Sequence, residues 1–380
     1  MNMSVLIRKY EETIKYWLGQ NKVIILYGAR QVGKSTILDS LGKSITGFVI
    51  LNCENTSVAE ILSSQNLSRI KLLFGDNTVI ALDEAQKIEN IGSVLKLIHD
   101  SSDFTCSLIA TGSSSFELSN KVTEPLTGRN VKIKVYPYAI EEIITNKSGL
   151  WLIENIDDLL VYGMYPEVLN IAKDKRALFL ENIAGDYLYQ DILQHERLKN
   201  SRDLQKLLRA LALQLGSQVS YNELGKLLGL SSKTVERYID LLQKNFILIQ
   251  LDSLSRNLRN ELKKSKKIYF VDLGLRNALI SNFNAISFRT DVGALWENFC
   301  VLERLKANSI NERVRNLYFW RTYDQAEIDL IEEYDGALDV YEFKYSPKKK
   351  KVKIADSFTN AYNVRAIKVI TKDNFEDLAE

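Results

Sequence analysis

The feature that most constrains this chain is an eight-residue loop, Gly-Ala-Arg-Gln-Val-Gly-Lys-Ser, at positions 28–35. It follows a short apolar run at residues 22–26 that predicts a strand, and it precedes a helical pattern that begins near Lys34. Glycines let a backbone pass close to a polyphosphate, and the amides of such a loop and of a helix N-terminus point toward an anion. The spacing G-x-x-x-x-G-K-S therefore predicts a phosphate-binding loop.

The residue types of this loop predict ATP and Mg²⁺ as its ligands. Lys34 would reach the β- and γ-phosphates, and the Ser35 hydroxyl would ligate Mg²⁺. The residues expected to contact the nucleotide are Gly28, Ala29, Arg30, Gln31, Val32, Gly33, Lys34, Ser35 and Thr36.

A second element of the same chemistry follows at residues 79–84, an apolar strand that ends in two acids. Asp83 would hold Mg²⁺ through water, and Glu84 would orient and deprotonate the attacking water. The alternative interpretation is a glycine turn and an acidic strand end that bind nothing. Together the two elements predict hydrolysis of ATP.

Composition excludes several classes of protein. The chain has 380 residues and a formal net charge of +2, so attraction to nucleic acid or membrane would have to be local. The apolar runs are too short to span a bilayer, and the N-terminus has no signal-peptide core. Three scattered cysteines and two histidines suggest neither a zinc site nor a disulfide framework. We therefore expect a cytoplasmic protein without a membrane partner.

The pattern of elements changes twice along the chain. Short apolar strands near residues 48–51, 79–82, 108–111 and 131–135 alternate with helical stretches, which predicts an α/β domain with a parallel sheet. Residues 138–245 are helical almost throughout, and strands return near Phe246. The predicted domains are an ATPase core (1–140), a helical lid (141–200), a winged helix-turn-helix (201–275) and a C-terminal α/β domain (276–380).

Residues 218–251 have the pattern of a winged helix-turn-helix. A short helix with a capping serine ends in a glycine turn, and a second helix begins near Ser231 or Ser232. If this unit docks in a major groove, the side chains that face DNA are Lys233, Thr234, Arg237 and Tyr238. The alternative is a module used for packing or for protein contact.

Acidic residues and a lysine form a second constellation near the C-terminus. Glu342 and Lys344 lie two apart on a predicted strand and therefore share a face, with Asp329 on the preceding strand and Glu297 on a helix. Asp329 and Glu342 would bind Mg²⁺, Glu297 would complete the metal shell, and Lys344 would activate the hydrolytic water. Lysines 348–351 and 353 could hold a nucleic-acid backbone. The alternative is the alternating charge of any solvated strand.

These motifs resemble the bacterial and archaeal AAA+ ATPases that carry a C-terminal domain of restriction-endonuclease-like, PD-(D/E)xK type. The resemblance rests on residues 28–35, 82–87, 111–114, 126–129, 163–167 and 269–275 and on the acidic set. It implies that Thr111 or Ser113 senses the γ-phosphate or the water. Arg129 is the best candidate for an arginine finger, and Arg30 is a weaker one.

The leading hypothesis is an ATPase that drives or gates a winged helix, with a nuclease-like domain that acts on DNA or binds it. If Arg129 acts on a neighbouring subunit, hydrolysis would need a homo-oligomer. Two alternatives remain open. One is an ATP-controlled regulatory switch that binds DNA or protein without cleavage, and the other is a protein-remodelling ATPase with no nucleic-acid partner.

Overall fold

A computed structural model describes residues 7–113, 126–196, 201–255, 266–322, 326–347 and 354–380, without the side chains of 186–196 and 201. The chain divides into two compact units, Met1–Pro137 with Lys244–Phe246, and Tyr138–Gln243 with Ile247–Glu380. The first predicted domain ends close to this boundary. The three other predicted segments, 141–200, 201–275 and 276–380, lie in the second unit apart from Lys244–Phe246.

Five strands and five helices make up the described part of the first unit. The strands are β1 (Val23–Gly28), β2 (Phe48–Asn52), β3 (Val79–Asp83), β4 (Ser107–Gly112) and β5 (Asn130–Val135). The helices are α1 (Tyr10–Leu18), α2 (Lys34–Ser44), α3 (Thr56–Ser63), α4 (Leu67–Phe74) and α5 (Ile91–Asp100). All neighbouring strands are parallel, in the order β2-β3-β4-β1-β5.

The central strands of this sheet are continuous apolar runs because helices cover a parallel sheet on both faces. In β1 the residues from Val23 to Leu26 are all buried, and in β3 the residues from Val79 to Leu82 are too. Side chains of β1, β3 and β4 join those of α3, α4 and α5 in one core cluster. The predicted α/β class with a parallel sheet is confirmed.

The second unit is mixed. Its helices are α6 (Ile140–Asn146), α7 (Gly149–Tyr162), α8 (Pro166–Asn170), α9 (Lys173–Glu196), α10 (Ser201–Leu213), α11 (Tyr221–Leu228), α12 (Ser232–Lys244), α13 (Leu273–Leu279), α14 (Val292–Ile310) and α15 (Asp356–Thr359). Its strands are β6 (Gln218–Val219), β7 (Leu248–Ser253), β8 (Lys266–Phe270), β9 (Asn316–Arg321), β10 (Glu327–Tyr334), β11 (Ala337–Phe343) and β12 (Val364–Ile370). In the part of the chain that is described, every helix is too short or too polar to cross a membrane.

One seven-stranded sheet runs through this unit in the order β12-β11-β10-β9-β7-β8-β6. Strand β7 joins its two halves, since it pairs antiparallel with β8 and parallel with β9. The junction between β7 and β9 is short, with Asp252 opposite Tyr318 and Ser253 opposite Phe319. The segments predicted as a winged helix and as a C-terminal domain therefore share a sheet, which explains why they form a single unit.

The predicted DNA-facing side chains on α12 differ in exposure. Lys233 and Arg237 are exposed, whereas Tyr238 is buried at 4% relative exposure. The prediction that Tyr238 faces DNA is wrong, because its ring belongs to the apolar stripe that α12 buries together with Val235 and Ile239. Assignment of residues 218–251 as a DNA-binding winged helix stays a prediction.

A buried ion pair fastens α14 to the sheet. Arg304 on α14 donates from Nε and Nη2 to the two carboxylate oxygens of Glu332 on β10, at 2.8 and 2.9 Å. Their side chains are 1% and 0% exposed. Arg315 adds a third donor to Glu332 at 2.6 Å. Because a buried charge is costly without a partner, this geometry fixes the register of the helix on the strand.

Replacement of Arg304 by methionine should therefore destabilise the second unit. We expect Arg304→Met to lower the free energy of unfolding by about 3–5 kcal/mol, since it leaves the buried Glu332 carboxylate short of its main partner. Denaturant unfolding measures the change. Arg365→Met is the matched control, because Arg365 pairs with Asp339 but is 37% exposed, and its loss should cost far less stability because solvent screens an exposed ion pair. Equal losses in the two variants would contradict this account of the pair.

Candidate functional site

The phosphate-binding loop predicted from the sequence connects β1 to α2 at the carboxyl edge of the parallel sheet. Gly28 ends β1, and a Cβ atom at this position would lie 2.1 Å from the carbonyl oxygen of Val135. Gln31 and Gly33 have positive φ angles of 61° and 94°, and α2 begins directly after Gly33. The glycines are therefore required by a close backbone approach and by a left-handed turn.

Some side chains of the loop are buried in the core, and others are exposed to solvent. Ala29 and Val32 are buried, whereas Arg30, Gln31 and Ser35 are exposed. The buried pair ties the loop to the core, so its backbone amides and the start of α2 are the groups available to an anion. Thr36 follows on the first turn of α2 and is half-buried.

Lys34 lies along this loop. Its ammonium donates to the carbonyl oxygens of Gly28 and Ala29, at 3.0 and 2.9 Å, and the residue is only 5% exposed. Burial beside backbone carbonyls holds the charge at the loop instead of in solvent. This position agrees with the expectation that Lys34 binds the phosphate oxygens of a nucleotide at the same loop.

Strand order brings Asp83, the last residue of β3, and Glu84, which follows it, to the carboxyl end of the sheet. The Ser35 hydroxyl donates to one carboxylate oxygen of Asp83 at 2.8 Å, and the Thr111 hydroxyl on β4 donates to the other. The Thr111 oxygen also accepts the backbone N–H of Glu84 at 3.1 Å. Ser35 and Asp83 thus place two hard oxygen donors together, which is the donor chemistry that Mg²⁺ prefers.

Glu84 is held by a residue that sequence reasoning missed. The Gln86 side-chain amide donates to a Glu84 carboxylate oxygen at 2.5 Å and to the Ser113 hydroxyl at 3.4 Å. Glu84 itself has a positive φ of 55°. Thr111 therefore supports Asp83 and the Glu84 backbone, whereas Ser113 connects to Glu84 through Gln86. The sequence signals for Gln86 were its position two residues after the acid pair and its place in the matching stretch 82–87.

Arg129 lies at the amino-terminal end of the parallel strands, whereas the phosphate-binding loop lies at their carboxyl end. It precedes β5, and its carbonyl accepts the N–H of Val23 at the start of β1. Strand β1 extends from Val23 to Gly28, so roughly 17 Å separates this end from the loop at a rise of about 3.3 Å per residue. The Arg129 guanidinium donates to Asp100 at 2.7 Å. Arg129 is thus remote from the phosphate loop of its own chain, and a role at a neighbouring subunit stays a prediction.

The second unit brings the predicted C-terminal residues together. Lys344 places its ammonium 2.9 Å from a Glu342 oxygen and 3.5 Å from an Asp329 oxygen. Asp329 also accepts the backbone N–H of Phe343 at 2.8 Å. Glu342 is 4% exposed, and burial, followed by the nearby Asp329 charge, raises its pKa to about 7.

Glu297 lies in the same cluster, next to three residues that the sequence analysis did not select. Lys267 on β8 contacts Glu297 at 2.7 Å and Glu327 at 2.5 Å, and the Tyr269 hydroxyl donates to Glu297 at 2.7 Å. Burial and then the Glu297 charge raise the pKa of Tyr269 well above its usual range. Alternation along β8 and β10 was the available signal, since residues two apart share a strand face.

The carboxylates predicted to bind a metal ion, those of Glu297, Asp329 and Glu342, are paired with lysines in the structure. Within the described ranges, no three Asp, Glu, His or Cys side chains are arranged to hold a metal ion. Lysine ammonium groups lie between the carboxylates instead. One oxygen of Glu342, Oε1, is buried and has no hydrogen-bond partner. The metal roles stay a prediction, and lysines 348–351 and 353 lie outside the described residues.

Three family descriptions match separate parts of the chain. Residues 20–144 match an AAA domain. Residues 153–285 and 292–379 match two domains of unknown function, DUF8612 and DUF4143. The first match covers the five-stranded parallel sheet, the loop and both acids.

Sequence relatives cover most of this chain. An uncharacterized protein of Mycobacterium tuberculosis is 28% identical over 325 residues, which cover 85% of this chain and 70% of the relative. An uncharacterized protein of Methanocaldococcus jannaschii is 22% identical over 395 residues, covering 95% of this chain and 86% of the relative.

A solved structure shares the fold. The Walker-type ATPase PABY2304 of Pyrococcus abyssi is similar with a TM-score of 0.51 and 16% identity, over 73% of this chain and 97% of that one. The parallel sheet, the glycine loop with its lysine and serine, and the acids on β3 agree with this likeness and with the AAA match. The sequence match over residues 20–144 and the shared fold both support an AAA-type P-loop domain.

Proposed function

We propose that the first unit binds and hydrolyses ATP at the edge of the sheet where residues 28–35 meet β3. The observation that supports this most is the hydrogen bond between Ser35 and Asp83, which joins the phosphate loop to the acid pair. Backbone amides of the loop and the N-terminus of α2 would receive the phosphates, and Lys34 would neutralise their charge.

The residues present fit Mg²⁺ as the cofactor. Ser35 and Asp83 supply oxygen donors for it, and Mg²⁺ when bound would offset negative charge on the phosphates. Thr111 holds Asp83 in place, and Gln86 orients Glu84. Glu84 would accept a proton from the attacking water, so that hydroxide character develops as the terminal phosphoryl group departs.

Separate variants distinguish nucleotide binding from hydrolysis. Lys34→Ala should abolish binding of MgATP, because the phosphates lose their only buried ammonium partner among the described loop residues. Glu84→Gln should bind MgATP normally and lose about 10²- to 10⁴-fold in turnover number, as expected for removal of a general base. Calorimetry and a phosphate-release assay measure the two steps. Unchanged binding by Lys34→Ala would refute the nucleotide site.

Thr111 tests the support of the acid pair. Thr111→Val keeps the shape of the side chain but removes the hydroxyl that contacts Asp83 and Glu84. Turnover should fall roughly 10- to 100-fold, the usual effect of losing a group that orients a metal-associated carboxylate. MgATP affinity should change little. Thr111→Ser retains a hydroxyl and should keep most of the activity, so equal losses in both variants would count against this role.

We further propose that the second unit acts on DNA through its acidic cluster, as a metal-dependent nuclease-like domain in active or degenerate form. The support is the convergence of Asp329, Glu342 and Lys344, together with the buried Glu342 oxygen that lacks a partner. Mg²⁺ bound by the carboxylates would stabilise charge on a scissile phosphate. Lys344 would orient the hydrolytic water.

A second candidate function is an ATP-controlled switch that binds DNA or protein without cleavage. The exposed face of α12 favours it, since Glu236 and Asp240 are as exposed there as Lys233 and Arg237. Burial, and then the negative charges of Glu236, Asp252 and Asp240, raise the pKa of Tyr221 to about 12. A face of balanced charge provides little attraction for a phosphate backbone.

A cleavage assay separates the two candidates. Wild type, Glu342→Ala and Lys344→Ala should be compared on branched, single-stranded and duplex DNA with Mg²⁺ or Mn²⁺. The nuclease proposal predicts cleavage by wild type and its loss in both variants. Identical traces from the three proteins would remove an active nuclease, and DNA binding that responds to ATP without any cleavage would support the switch.

A further inference from the structure

Lys267 is the most deeply buried cation of the acidic cluster. Its side chain is 2% exposed, and its ammonium lies 2.7 Å from Glu297 and 2.5 Å from Glu327. Burial alone would lower the pKa of Lys267, but the two carboxylates outweigh burial and raise it. One oxygen of Glu297 accepts hydrogen bonds from both the Lys267 ammonium and the Tyr269 hydroxyl.

Charges in the cluster do not balance through its lysines alone. Four carboxylates, those of Glu297, Glu327, Asp329 and Glu342, face the two ammonium groups of Lys267 and Lys344. The Arg321 guanidinium adds a weaker contact at 3.8 Å from Glu327. Among the described residues, the carboxylates of this cluster outnumber the cationic groups that contact them, and the unpartnered Glu342 oxygen lies within the cluster.

The neighbouring Lys266 points elsewhere, although it has the same chemistry. Its ammonium lies 4.0 Å from Asp252 and 5.4 Å from the centre of the Tyr221 ring, and its side chain is 29% exposed. Alternation along β8 separates the two lysines onto opposite faces of the strand. Position 267 is therefore specific for the cluster and does not belong to a generally basic strand.

We propose that the Lys267 ammonium is a built-in counter-ion of this cluster, and that a hard divalent cation binds tightly only when this ammonium is displaced. The inference rests on the proposed nuclease-like site and adds its regulation. Among the described residues, the carboxylates form no ready ligand set. Lys267 contacts two of these carboxylates directly and excludes a second cation by occupancy and by repulsion.

The position of Lys267 connects cation binding to the rest of the second unit. Strand β8 pairs with β7 and β6 in the segment predicted as a winged helix, whereas Glu327 and Asp329 belong to β10. A movement of β8 would withdraw the ammonium from Glu297 and Glu327 and leave their oxygens to a divalent cation.

Mn²⁺ binding to the full chain tests this proposal without nucleotide or DNA. All proteins carry Asp83→Asn, so that the phosphate loop contributes no metal site, and bound Mn²⁺ is counted by electron paramagnetic resonance. Lys267→Met should bind Mn²⁺ at least tenfold more tightly than the parent. Lys266→Met, which removes the same charge one residue away, should match the parent. Adding Glu297→Gln to Lys267→Met should abolish the gain.

The stability of Lys267→Met provides a second readout. Loss of the ammonium leaves buried carboxylates uncompensated, so the melting temperature should fall without divalent cations and recover with Mn²⁺. Equal Mn²⁺ affinity of the parent and Lys267→Met would overturn the proposal. It would also be overturned if Lys267→Met were unfolded and Mn²⁺ failed to restore its structure, because a divalent cation could then not replace the ammonium.

This result is independent of catalysis. Tighter Mn²⁺ binding by Lys267→Met without DNA cleavage would support the counter-ion and reject an active nuclease. DNA cleavage by wild type with no difference in Mn²⁺ affinity would support the nuclease and reject the counter-ion.

Discussion

The hydrogen bond from Ser35 to Asp83 is the contact on which the function proposed for the first unit depends. It exists because β3 lies beside β4 and β4 beside β1 in the parallel sheet, so that the carboxyl ends of these strands share one edge. Ser35, in the loop after β1, and Asp83, at the end of β3, are 48 residues apart in sequence. Strand order alone brings an ammonium, a hydroxyl and two carboxylates to one place.

Much of the first unit could be predicted because its signals are local. A glycine loop between a strand and a helix fixes the backbone at Gly28 and Gly33, and short apolar runs identify buried parallel strands. Gln86 could not be selected in this way, since its role depends on the spatial approach of Glu84 and Ser113. The position of Arg129 could not be predicted either, because only the direction of the strands shows that it lies at the end of the sheet far from the loop.

The second unit was harder to predict because its defining contacts are long-range. Residues predicted as a winged helix and residues predicted as a separate domain share a sheet through a short pairing of β7 with β9. Alternation placed Glu342 and Lys344 on one face correctly, but Lys267 enters the cluster from a strand that the pattern assigned to another domain. The Tyr238 side chain is buried in the apolar stripe of its helix, although it was predicted to face DNA.

We propose that Ser35 and Asp83 hold Mg²⁺ for a nucleotide at residues 28–35. The most direct measurement of this claim is the dependence of ATP affinity on Mg²⁺ concentration in wild type and in Asp83→Asn. The account predicts that Mg²⁺ strengthens ATP binding to wild type and that Asp83→Asn still binds ATP but loses this dependence. An identical Mg²⁺ dependence in both proteins would contradict it.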